Sequence, residues 1–234
     1  MDILADLIRG ITIWALPVVF AITLHEAAHG YVARYFGDST AYMLGRVSLN
    51  PLRHIDPVGT IAVPLTLFVL SKFTGGAGIL FGWAKPVPVN FAQLRNPKRD
   101  MLWVAAAGPG VNLLMAIGWG FLLKLGAMNT DSYFAEPLIL MSVAGVFVNL
   151  MLMALNLLPF PPLDGGRIAV SLLPHKLAYR YAQIEPYGFM ILILLLATGV
   201  LGQILWPMIQ LAVSFIAFLI GAPPRDLIQL LNSV

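Results

Sequence analysis

Residues 11–31 read ITIWALPVVFAITLHEAAHGY, an apolar run whose last turns carry two histidines and a glutamate. The run matches the ~20 residues that an α-helix needs to cross the hydrocarbon core of a bilayer. Asp2 and Asp6 precede it, whereas a cleavable signal peptide wants a basic start and a small-residue cleavage site. The helix is therefore expected to stay in the mature protein.

Working outward, the rest of the chain has the same character. Of its 234 residues 59% are hydrophobic and 11% charged, against about a quarter charged in a soluble domain. No stretch has the composition of a linker, so residues 1–234 are expected to form one membrane-embedded domain. Residues 41–57 hold Gly45, Asn50 and two prolines and read as strand and loop. Residues 58–70 and a second piece ending near Trp83 are apolar but short for full crossings, which fits a re-entrant loop or a thin hairpin. Residues 87–100, where Pro88 and Pro97 follow Pro86 in the AKPVPVN and LRNP stretches, are expected to be extended. Residues 101–125 and 137–158 read as full helices. Pro159, Pro161 and Pro162 then forbid helix, Asp164-Gly165-Gly166 reads as a turn, and 167–173 as a short helix. Residues 187–220 are too long for one crossing, and Gly199, Gly202 and Pro207 offer a break into two helices. The expected fold is an all-α polytopic bundle of about five to six transmembrane helices.

Charge orients the bundle. Cytoplasmic loops carry the excess of Lys and Arg. If the first helix runs outside to inside, the inner side holds Arg34, Arg46, Arg53, Lys72, Lys85, Arg95, Lys98, Arg99, Arg167, Lys176, Arg180 and Arg225, leaving Arg9 and Lys124 outside. The expected location is the cytoplasmic (inner) membrane, with the inner end of the first helix facing the cytoplasm. Basic residues distributed in this way are topology signals, and no basic cluster with interleaved aromatics argues for nucleic acid.

The chemistry sits at that inner end. His25 and His29 are one helical turn apart and share a face, so both imidazoles can reach one cation, while Glu26 projects about 100° around the helix where it can take a proton from water beside the metal. Four His and three Glu in the chain make a chance match of this spacing about a one-in-a-thousand event. Cysteine is absent, which excludes thiol nucleophiles and leaves His, Asp and Glu to hold metal. A catalytic zinc takes three protein ligands and keeps an open position. Asp164 follows the inner end of a helix and fits as the third. His54, Asp56, His175 and Glu185 share its side, and Glu136 lies on the other.

Five stretches carry a resemblance: LHEAAHGYVA at 24–33, GRVSLNPLRHIDPVGT at 45–60, GWAKPVPVNFAQLRNPKRD at 82–100, AAAGPGVNLLMA at 105–116 and NLLPFPPLDGGR at 156–167. In this order they resemble the site-2 protease family of intramembrane zinc metalloproteases, in particular its compact bacterial members without a PDZ domain. The resemblance implies Zn2+ held by His25, His29 and Asp164, Glu26 as general base, and Asn156 polarising the substrate carbonyl or holding the intermediate. It implies that Gly108, Pro109 and Asn112 support helix packing near the site, and that 44–50 forms a membrane-associated β-hairpin. The implied activity is hydrolysis of peptide bonds in or beside transmembrane segments, on membrane-protein substrates whose spans are weakly helical. Two rivals stand beside it. One is a membrane zinc protease resembling the prenyl-protein type, with Glu136 or Glu185 as third ligand. The other is a non-catalytic metal-binding or span-binding protein, for which Glu26 would have no use.

Overall fold

The computed structural model describes residues 3–63, 66 and 85–232, and among them every regular element is helical. In chain order the α-helices are α1 (Ile3–Tyr35), the single turn α2 (Thr40–Met43), α3 (Pro97–Met128), α4 (Ala135–Asn156), α5 (Asp164–Leu172), α6 (His175–Ala182), α7 (Gly188–Ala197), α8 (Val200–Ile220) and α9 (Pro224–Asn232). Of these α1, α3, α4 and α8 are long and apolar enough to cross a membrane.

Lipid tails are as apolar as leucine, so close packing rather than the hydrophobic effect holds such helices together. The seams accordingly bury small side chains, among them Ala116, Ala144, Ala154 and Ala217, beside Leu150, Ile209 and Ile216. Leu114, Leu211 and Phe218 point outward from the same helices, as a lipid-facing shell requires.

Contacts at the helix ends fix the threading. Arg9 of α1 pairs with Glu136 of α4 at 2.8 Å, so the start of α1 and the α3–α4 connection share one end. A Cβ on Gly221, just past α8, would lie 3.8 Å from Lys124 Nζ, so α8 also finishes there. Arg225 follows α8 and therefore joins Arg9 and Lys124, not the opposite side where the charge pattern put it. At that opposite end Gly188 opens α7 against the backbone of Pro161. With ten residues and a rise of 1.5 Å each, α7 covers only about half a crossing. The break comes at Gly199, whose φ of +74° is the left-handed conformation that glycine adopts without steric cost. Gly202 and Pro207 lie inside α8. Residues 187–220 thus give one half-length helix and one span. The described residues carry four candidate spans where five to six were expected, and most of 58–84, where re-entry or crossing was in question, lies outside them.

The hairpin expected at 44–50 is an irregular loop. Its backbone is satisfied by side chains instead of by a ladder: Arg53 Nη1 donates to the Gly45 carbonyl, and His54 Nε2 meets the Ser48 carbonyl at 2.8 Å. Arg46 reaches away to the carbonyls of Lys85 and Pro86 at 2.9 and 3.2 Å. The extended conformation expected for 87–100 holds only up to residue 90: Phe91–Gln93 form a 3-10 turn and Pro97, a residue suited to a first helical turn, opens α3. The extended 85–90 segment lies across the C-terminal end of α1. It is tied there by Lys85 N–H to His54 O at 2.9 Å and Asn90 N–H to Asp38 Oδ2 at 2.7 Å.

Candidate metal centre

Two stripes of residues, each spaced by four, meet antiparallel. Ala21, His25 and His29 line one face of α1, and Asn112, Gly108 and Val104 line the facing stripe of α3, because positions i and i+4 share a helix face. The glycine decides how near the helices come. A Cβ at Gly108 would lie 2.5 Å from both His25 Cε1 and His29 Nε2, so only a residue without a side chain leaves the imidazoles their place.

Each ring is aimed by its other nitrogen. His25 Nδ1 meets Asn112 Oδ1 at 2.5 Å and His29 Nδ1 meets the Val104 carbonyl at 2.7 Å. Both partners are acceptors, so both Nδ1 atoms carry the proton and both Nε2 atoms present lone pairs. These two Nε2 atoms are 3.1 Å apart.

Asp164 closes the triangle. Its Oδ2 lies 3.2 Å from His25 Nε2 and 3.3 Å from His29 Nε2. The prolines after α4 end that helix, and α5 begins at Asp164 itself, which is therefore in the first turn of a helix and not in a loop. Gly165 and Gly166 act through their lack of a side chain: a Cβ would lie 2.3 Å from Leu157 O at the first and 2.2 Å from Pro161 N at the second. Neither has a positive φ. The glycines let α5 press back on the proline turn, and that pressure carries the carboxylate to the imidazoles.

Three buried acceptors in mutual contact are unstable without a cation, since a buried polar group that lacks a partner costs several kcal/mol. Among the described residues Asp164 Oδ2 is buried without a hydrogen-bond donor. Three ligands placed tetrahedrally at zinc bond lengths of 2.0–2.1 Å stand about 3.3 Å from each other, and the observed separations are 3.1, 3.2 and 3.3 Å. The donor set, its spacing and the cradle at Gly108 all fit zinc. Among the described residues this is the one cluster of three or more His, Cys, Asp or Glu able to hold a metal.

The other candidates are elsewhere. Glu136 pairs with Arg9 at the far end of the bundle. Glu185 and His175 are exposed, His54 is engaged with Ser48, and Asp56 Oδ1 caps the turn at Val58 and Gly59. Glu26 Oε2 accepts the Val87 N–H at 2.7 Å, so the extended segment touches the expected general base. Asn156 turns back on its own helix, Nδ2 donating to Leu152 O at 3.0 Å.

The comparisons bear directly on this arrangement. The model of peptidase family M50 matches residues 127–197, the stretch that contains Asn156 and Asp164. "Putative zinc metalloprotease YwhC" of Bacillus subtilis (strain 168) is 38% identical over 198 residues, 83% of this chain and 84% of that protein. The chain belongs to the site-2 protease family. A second relative, "Putative zinc metalloprotease Rip2" of Mycolicibacterium smegmatis, is 30% identical over 190 residues, 79% of this chain and 66% of its own length. No solved structure matches the chain. This site-2 protease is thus a membrane-embedded zinc metalloprotease with a multi-pass helical body.

Sequence reasoning missed three contributors to the site. Val104 and Val87 act through backbone groups, which no side-chain motif records. Asn149 is fully buried behind Asn112, and its only signal was a polar residue in the middle of an apolar span.

Proposed function

We propose that His25, His29 and Asp164 hold the catalytic zinc and that Glu26 is the general base of peptide-bond hydrolysis. The observation that carries this is the triangle of buried acceptors, which has the size of a zinc ligand set and no donor of its own. When bound, zinc supplies Lewis-acid chemistry, lowering the pKa of water and polarising a carbonyl. Glu26 has one carboxylate oxygen tied to the Val87 N–H, and Oε1 makes no hydrogen bond among the described residues. Oε1 takes the proton of the attacking water and returns it to the leaving amine nitrogen.

Asn156 lies two helical turns beyond Asn149 and so on the same face of α4. Released from Leu152, its Nδ2 donates to the substrate carbonyl oxygen as charge develops, a contribution of about 3 kcal/mol for a donor of this kind. The substrate is a membrane protein whose span unwinds easily, because helical carbonyls are shielded by their own hydrogen bonds and Gly or Pro weakens the helix by about 1 or 3 kcal/mol. The loop at 44–50 and the extended 85–90 segment both approach α1 at Gly30, beside His29, where a Cβ would lie 2.8 Å from Val47 and 3.2 Å from Val87, and an unwound substrate pairing with the loop would make the 44–50 region a strand.

The chain works as a single membrane-embedded peptidase domain. It sits in the cytoplasmic membrane with the zinc end inward. Arg34, Lys98, Arg99, Arg167, Lys176 and Arg180 at that end support this orientation. The test is cleavage of a single-span substrate in detergent by wild type and Glu26→Gln, with zinc content measured on both. The expected result is loss of cleavage with zinc retained. Equal cleavage in the two would remove Glu26 from the mechanism, and cleavage by neither would favour a span-binding protein.

A further inference from the structure

Behind His25 runs a chain of buried amides whose direction is fixed at its far end. Asn149 Nδ2 donates to the Gly145 carbonyl, one turn back on α4, at 2.8 Å. A backbone carbonyl only accepts, so the amide nitrogen of Asn149 must face Gly145 and its Oδ1 must face away. That Oδ1 accepts from Asn112 Nδ2 at 2.9 Å, and the same Nδ2 reaches the Ala21 carbonyl at 3.2 Å. Asn112 is thereby held with Oδ1 toward His25 Nδ1. Asn112 and Asn149 are both fully buried, so water cannot substitute for a missing partner.

The consequence falls on the ring. Turned the other way, Asn112 would set its oxygen against two acceptors and its NH2 against His25 Nδ1. The imidazole would then carry its proton on Nε2, aimed into the ligand triangle. We propose that Asn149 is a positioning residue of the metal centre: through Asn112 it holds His25 in the Nδ1-protonated tautomer, so that the Nε2 lone pair faces the metal. α4 thus contributes to zinc binding without touching the ion, and folding α4 against α3 is what prepares His25. The inference rests on the reading that His25 is a zinc ligand.

The experiment is a zinc competition titration with a chromogenic chelator on purified full-length protein, with 15N-histidine spectra of the metal-free form. Outer partners of metal-bound histidines are typically worth 10–100-fold in affinity. Asn112→Leu is expected to weaken zinc by that range. Asn149→Leu, which leaves Asn112 its bond to Ala21, should weaken it about tenfold. Asn149→Asp should restore affinity to within about threefold of wild type, because an acid group still offers Asn112 an acceptor and, when protonated, donates to Gly145. In the wild type the His25 resonances should show a protonated Nδ1. Zinc affinity unchanged in folded Asn149→Leu, or a wild-type His25 protonated on Nε2, would overturn the proposal. If Asn149→Leu does not fold, the wild-type tautomer and Asn149→Asp decide alone. A wild type that binds no zinc would instead overturn the metal-site reading.

Discussion

Helices α1 and α4 bring polar groups together at both ends of the bundle, and the two meetings differ in kind. At the end where α1 starts, Arg9 and Glu136 form an ion pair at 2.8 Å with side chains 63% and 76% exposed. Opposite charges satisfy each other there, and water covers the rest. At the opposite end the residues following α4 bring Asp164 against His25 and His29, all buried, with lone pairs facing one another. The exposed pair is complete as it stands. The buried cluster is complete only with a cation, and α3 gives up a side chain at Gly108 to make room for one. The lesson is that polar contact between membrane helices marks a site when the contacting groups fail to neutralise each other, not when they merely touch.

The strongest way to break this contrast is to fill the space. Gly108→Ala places a methyl within 2.5 Å of both imidazoles, and we expect zinc content below about a tenth of wild type and no cleavage. Gly110→Ala, where an added Cβ meets nothing within 4 Å, should behave as wild type in the same metal analysis. Next, Asn156→Leu should lower kcat by about 10²–10³-fold while zinc stays bound, measured by single-turnover cleavage. An equal loss of zinc would make Asn156 structural.

A smaller effect is expected where the extended segment touches Glu26, the proposed base. Val87→Pro removes the N–H that Glu26 accepts without disturbing an extended backbone already followed by Pro88. Charge-assisted hydrogen bonds are worth about 1.5–3 kcal/mol, so kcat should fall about tenfold or more at unchanged zinc affinity. The smallest effect belongs to the exposed pair. Arg9→Ala should change stability by less than about 1 kcal/mol, read by thermal unfolding, and leave zinc binding untouched.

How much of this was legible in the sequence depends on which atoms do the work. The HEAAH spacing is local to one helix, so His25, Glu26 and His29 could be read directly, and the long apolar runs gave all four spans. Asp164 was legible as a carboxylate after a helix end. Its glycines were not, because the sequence cannot distinguish a glycine that turns the chain from one that lets two backbones touch. Arg225 was placed on the wrong side because the break at Gly199 leaves α7 at half length, and no composition rule measures that. The 44–50 loop looks strand-like in residue type, yet Arg53 and His54 satisfy its carbonyls from the side. Asn149 and Asn112 meet across 37 positions through the packing register of α3 on α4, which no single-helix pattern contains.

Every role proposed for this site requires one zinc held between α1 and the start of α5. Metal analysis of protein purified without chelators, on wild type and Asp164→Ala side by side, decides whether it is there. One zinc per wild-type chain is expected, and less than about a tenth of that in the variant. A wild type without stoichiometric zinc, or an Asp164→Ala protein that keeps it, would rule this arrangement out.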